Sequence, residues 1–128
     1  MKYLILTVAI CLSCFSWSAS KTISVKQLNE AISSTDMVFD STIVDVRTPD
    51  EFARGHVPGA INIPHKEIGK HLTKLSALEK DGLILYCRSG KRAARAIQTL
   101  SEAGFNNVVH MQGDMTAWLS AKLPVQLP

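Results

Sequence analysis

The feature that most constrains this chain is a four-residue apolar run, Leu83-Ile84-Leu85-Tyr86, that ends on Cys87. The run has no polar alternation. It therefore reads as a strand covered on both faces, the habit of parallel sheets inside α/β domains. Asp81-Gly82 before it is a turn. After it comes Cys87-Arg88-Ser89-Gly90-Lys91-Arg92, a basic loop with one glycine. A helical segment follows, with Ala93, Ile97 and Leu100 on one face. A thiol at the carboxyl end of a buried strand, ahead of a helix N-terminus and among cations, is placed where the thiolate is favoured. The same helix amides form a concavity for an anion. Cys87 is thus the candidate nucleophile. Arg88, Ser89, Gly90, Lys91, Arg92 and Ala93 are the candidate substrate-binding positions.

The rest of the chain repeats the strand–helix alternation. Ser24 and Gln27 form a capping box at the start of a helix with Val25, Leu28 and Ile32 at helical spacing. Ile43-Val44-Asp45-Val46 reads as a strand, and Ala60-Ile61-Asn62-Ile63 as another, stopped by Pro64. Ile68, Leu72 and Leu75 mark a helix weakened by Gly69. Gly104 caps the helix that begins near Lys91, Val108-Val109 is a short strand, and Met115, Trp118 and Leu119 mark a last helix. This order predicts an α/β domain with a mainly parallel central sheet and helices on both faces. In such sheets the ligand site lies at the carboxyl ends of the strands. Cys87 is there, and so is Arg47, which either pairs with Asp45 or faces the site.

The first twenty residues differ. Lys2, the apolar run Leu4 to Phe15 and the small polar end Ser16 to Ser20 have the order of a secretory signal peptide. The run is short for a membrane span. The expectation is a leader over residues 1–20, a single domain over 21–128, a mature chain without a transmembrane segment, and a periplasmic or secreted protein. A lipoprotein anchored through Cys14 is the alternative. Of the three cysteines, Cys11 and Cys14 fall in the leader, so Cys87 has no partner for an internal disulfide. A net charge of +3 over 128 residues, without clustering, does not fit a nucleic-acid binder. His65, His71 and His110 lack metal-ligand spacing, and His56, in a turn rich in Gly and Pro, is expected to bond the loop backbone.

Three segments carry a resemblance. Asp45-Val46-Arg47-Thr48-Pro49-Asp50-Glu51-Phe52-Ala53-Arg54-Gly55-His56-Val57-Pro58-Gly59-Ala60-Ile61-Asn62-Ile63-Pro64 resembles the N-terminal motif of rhodanese domains. Cys87 to Arg92 resembles their active-site loop, and Asn107 to Trp118 their C-terminal motif. One departure stands in the third motif, where Asp114 replaces a usual second glycine. Asp114 is expected to cap the helix that follows. The resemblance implies a single-domain exported sulfurtransferase. Cys87 would take the outer sulfur of thiosulfate or a similar donor, hold it as a persulfide, and pass it to cyanide or a thiol. It implies no metal and no organic cofactor.

Two other functions fit parts of the pattern. A cysteine-dependent phosphatase also puts a thiolate in a loop before a helix. It needs an arginine six positions after the cysteine, where this chain has Ala93, and a loop one residue longer. A rhodanese-like thiol- or persulfide-binding module without catalysis is the third reading. Such modules usually lack the cysteine.

Overall fold

The computed structural model describes residues 21–35 and 38–128. The leader expected over 1–20, with Cys11 and Cys14, lies outside the described residues. Five strands and five α-helices follow in order: β1 (Thr22–Ser24), α1 (Val25–Ser33), β2 (Thr42–Asp45), α2 (Pro49–Ala53), β3 (Ile61–Asn62), α3 (Leu72–Leu78), β4 (Leu83–Tyr86), α4 (Lys91–Glu102), β5 (Val108–Gln112) and α5 (Asp114–Ser120). The strands form one sheet in the order β1-β5-β4-β2-β3, and every pairing is parallel.

The sheet is buried on both faces because successive side chains of a strand point to opposite sides. Leu83 and Leu85 of β4 join Val44, Ile68, Leu75, Ala96 and Leu100 on the side of α3 and α4. Ile84 and Tyr86 join Leu28, Met111, Met115 and Trp118 on the side of α1 and α5. All four residues of β4 are buried. This strand sits between β2 and β5, so its carboxyl end opens at the middle of the sheet edge.

Local chemistry sets the boundaries. Ser24 Oγ accepts from the Gln27 N–H at 3.1 Å and Gln27 Oε1 accepts from the Ser24 N–H at 3.0 Å, the reciprocal capping box expected for α1. The helix expected around Ile68 to Leu75 is split. A 3-10 segment spans His65–Lys70 and α3 starts only at Leu72, with Gly69 near the junction. The strand at 60–63 shrinks to Ile61–Asn62. The Ile63 N–H still reaches the Asp45 carbonyl at 3.0 Å, but Pro64 has no N–H to continue the ladder. At the end of α4, Gly104 takes φ +91° and the Phe105 N–H bonds the Leu100 carbonyl at 3.0 Å, a Schellman ending. No helix among the described residues is long and apolar enough to cross a membrane.

Candidate active site

Cys87 leaves β4 and is 1% exposed. Three hydrogen bonds fix its position. Its carbonyl accepts from the Met115 N–H at 3.0 Å, its N–H donates to Asp114 Oδ1 at 3.0 Å, and its Sγ accepts from the Gly90 N–H at 3.0 Å. The chain from Arg88 to Gly90 curls over the sulfur, and α4 begins at Lys91. Gly90 makes that turn at φ +112°, where a side chain is strained. An added Cβ there would also sit 3.2 Å from Asp114 Oδ2. Ala93, fully buried in the first turn of α4, packs in the same core cluster as Cys87. A donor aimed at sulfur stabilises its anion more than its thiol.

The cations reach the site in different states. Arg92 is clamped by Glu51, with 2.6 Å and 3.0 Å contacts to the two carboxylate oxygens. Those hydrogen bonds are the main reason the Glu51 carboxyl is lowered to about 2. Glu51 is presented by α2, whose start is a second capping box. The Glu51 N–H reaches Thr48 Oγ1 at 3.3 Å, and Pro49 sits in the first turn. Arg47 is 6% exposed and paired with Asp45, with its Nη2 2.7 Å from Oδ2 and 2.8 Å from the Gly55 carbonyl. Asp45 also accepts from the Tyr86 hydroxyl at 2.7 Å, and that hydroxyl accepts from the Val57 N–H at 3.1 Å. Arg47 is therefore in an ion pair and also lines the cleft. The Arg88 side chain is exposed, while its carbonyl accepts from the Thr116 N–H at 3.1 Å and from Thr116 Oγ1 at 2.9 Å.

An open cleft of about 790 Å³ lies beside the loop. Arg47, Arg54, Arg88 and Arg92 line it with Glu51, and Met115, Leu119 and Val125 form its apolar side. Ser89 and Lys91 are exposed but outside that lining. Cys87 lies beneath the loop rather than on the cleft wall. Among the described residues no group of three His, Cys, Asp or Glu side chains could hold a metal ion.

The expected cap at Asp114 is a correction. Gly113 is the N-cap of α5 and no side chain caps it. Asp114 is the first residue of the helix, at φ +57°, and its 1%-exposed carboxylate turns away from the helix. It meets the Cys87 N–H, and His110 Nε2 lies 3.0 Å from both its oxygens. Local sequence gives no sign of this, since the partner is 27 residues away. Glu51, Arg54, His110 and Asp114 are the site residues that sequence reasoning missed.

The model of the rhodanese-like domain family matches residues 24–121. A sulfurtransferase of Allochromatium vinosum is 33% identical over 109 residues, covering 83% of this chain and 94% of the relative. The chloroplastic thiosulfate sulfurtransferase 16 of Arabidopsis thaliana is 37% identical over 93 residues, covering 65% and 78%. Among solved structures, a rhodanese-related protein of Thermoplasma volcanium superposes with a TM-score of 0.67 at 32% identity, covering 84% of this chain and 99% of that one. A Rhodopseudomonas palustris protein described as of unknown function and a possible tyrosine phosphatase reaches 0.71 at 25% identity, covering 84% and 85%. With the family model spanning β2 to β5, the Cys87 loop and α5, and with sulfurtransferases among its relatives, the chain belongs to the rhodanese-like domain family.

Proposed function

We propose that this rhodanese-family enzyme moves sulfane sulfur from thiosulfate, or a similar anionic donor, to cyanide or a thiol through a persulfide on Cys87. The observation that carries the reading is the Gly90 N–H at 3.0 Å from Cys87 Sγ, inside a loop that leads directly into α4. The Cys87 thiolate attacks the outer sulfur of thiosulfate. An Sγ–S bond forms, the S–S bond of the donor breaks, and sulfite leaves with the electron pair. A thiolate or cyanide then attacks the outer sulfur, and Cys87 departs as thiolate. Backbone amides of residues 88–93 supply fixed dipoles for the persulfide anion, as an oxyanion hole does for oxygen. Arg88 and Arg54, with no carboxylate partner among the described residues, draw the dianionic donor to the cleft.

The phosphatase alternative is weaker. Position 93 is alanine and buried, and the neighbouring Arg92 is held by Glu51. Intact-mass measurement after thiosulfate treatment tests the proposal. One added sulfur atom, removed by cyanide or dithiothreitol and absent in Cys87→Ser, is the expected result. Turnover by Cys87→Ser, or Cys87-dependent aryl-phosphate hydrolysis without sulfur transfer, would sink it.

A further inference from the structure

Asp114 is one of two non-glycine residues with positive φ among the described residues, and it directly follows Gly113 at φ +89°. Glycine is the unstrained residue at φ +57°; an aspartate kept there implies surroundings that hold it. Those surroundings are Cys87, Gly90 and His110. Oδ1 accepts the Cys87 N–H at 3.0 Å. His110 Nε2 lies 3.0 Å from each carboxylate oxygen, with the Asp114 side chain 2% and the His110 side chain 23% exposed. Oδ2 faces Gly90, whose N–H touches Sγ. One carboxylate therefore bonds the sulfur's own backbone N–H and lies against the Cβ side of Gly90, the residue whose N–H meets Sγ.

We propose that Asp114, oriented by His110, is a positioning residue for the Cys87 nucleophile. It acts through the backbone and touches no substrate. By engaging the Cys87 N–H it directs that donor away from the loop, so the outer sulfur of a persulfide faces the amides after residue 87. By backing Gly90 it keeps the Gly90 N–H on Sγ. His110 fixes the carboxylate from β5, one turn before α5. The inference rests on the sulfur-transfer reading for its consequence in turnover, but its geometric part is open to tests that need no sulfur donor.

The test compares Asp114→Gly, Asp114→Asn and His110→Gln with the unaltered protein by three readouts. These are hydrogen exchange of the Cys87 amide, the alkylation rate of Cys87 by iodoacetamide, and kcat and KM for thiosulfate with cyanide. Asparagine keeps an oxygen for the Cys87 N–H, whereas glycine removes it and relieves the strained φ. Asp114→Gly should speed exchange of the Cys87 amide and lower kcat about ten- to hundredfold with KM within about threefold, the scale of a mispositioned nucleophile. Alkylation should change in the same variant. Asp114→Asn should restore amide protection and most of kcat. His110→Gln should give an intermediate loss and add nothing in the Asp114→Gly background, because it acts through that carboxylate. A glycine variant with unchanged exchange, alkylation and kcat would overturn the proposal. So would His110→Gln effects that simply add to those of Asp114→Gly. Should thiosulfate never load Cys87 while exchange and alkylation shift as stated, the sulfur-transfer reading fails and the positioning role stands.

Discussion

Glu51→Gln should weaken the fold and strengthen the grip on thiosulfate. Glu51 joins α2 to α4 through a two-pronged contact with Arg92. Its carboxyl falls from an ordinary 4.5 to about 2 on folding, chiefly by that hydrogen bonding. By linkage such a shift contributes at most about 3.4 kcal/mol. The side chains keep 26% and 23% of their surface in water, and screening brings the figure to about 1–2 kcal/mol. The folded value lies below the unfolded one, so this stability is fully present above about 4.5 and is lost as pH falls through about 2. Urea unfolding of both proteins at a series of pH values reads the difference, with other carboxylates cancelling between them. The gap should be about 1–2 kcal/mol at pH 7, a melting shift of roughly 5–10 °C for a domain of roughly 100 residues. It should close between pH 4.5 and 2. A gap that stays constant through that window would refute the ion-pair argument. The same variant removes a negative charge from the cleft and frees Arg92, so KM for thiosulfate should fall about two- to fivefold at low salt and less at high salt.

Three further outcomes follow from the same site. Arg88→Gln should raise KM for thiosulfate about three- to tenfold, and Arg92→Gln should raise it less, since Glu51 already occupies Arg92; steady-state kinetics with cyanide as acceptor give the comparison, and a larger effect at Arg92 would contradict the clamp. Tyr86→Phe should lose about 2–3 kcal/mol in urea unfolding, because it leaves the buried Val57 N–H without an acceptor and removes a donor from Asp45. In protein beginning at Lys21, Tyr86 is the sole tyrosine. Burial first, and then the charge of Asp45, pushes its phenol well above the usual range, so tyrosinate absorbance should rise only with unfolding.

What the sequence disclosed depended on the range of the interactions involved. β4 was legible because four consecutive apolar residues have one physical meaning in a short run bounded by a turn, and Cys87 inherited its position from that strand. The Ser24 box and the Gly104 ending were legible because every partner lies within a few residues. The box at Thr48 and Glu51 is equally local, with Pro49 in the first turn. The electrostatics were not legible. Counting Arg88, Lys91 and Arg92 as one cationic loop gives three equal charges. Folding brings Glu51 from 41 residues away onto Arg92 and leaves Lys91 outside the cleft, so the three are not equivalent.

Asp114 shows the same limit from the opposite side. A cap was the economical reading because aspartate at a helix start has a local use for its carboxylate. Two consecutive left-handed residues, Gly113 and Asp114, instead turn that side chain into the sheet edge, where the Cys87 amide and His110 meet it. Burying a carboxylate at 1% exposure is tolerable only when its oxygens are engaged, and here both are. The groups that meet come from three separate elements: His110 from β5, Cys87 from the loop after β4, and Asp114 from α5. Only the parallel order β5-β4 places the ends of those strands side by side. The topology therefore does more than bring Cys87 to an edge. It makes the ends of β4 and β5 neighbours, so that a residue after one strand can set the backbone of the nucleophile after the other.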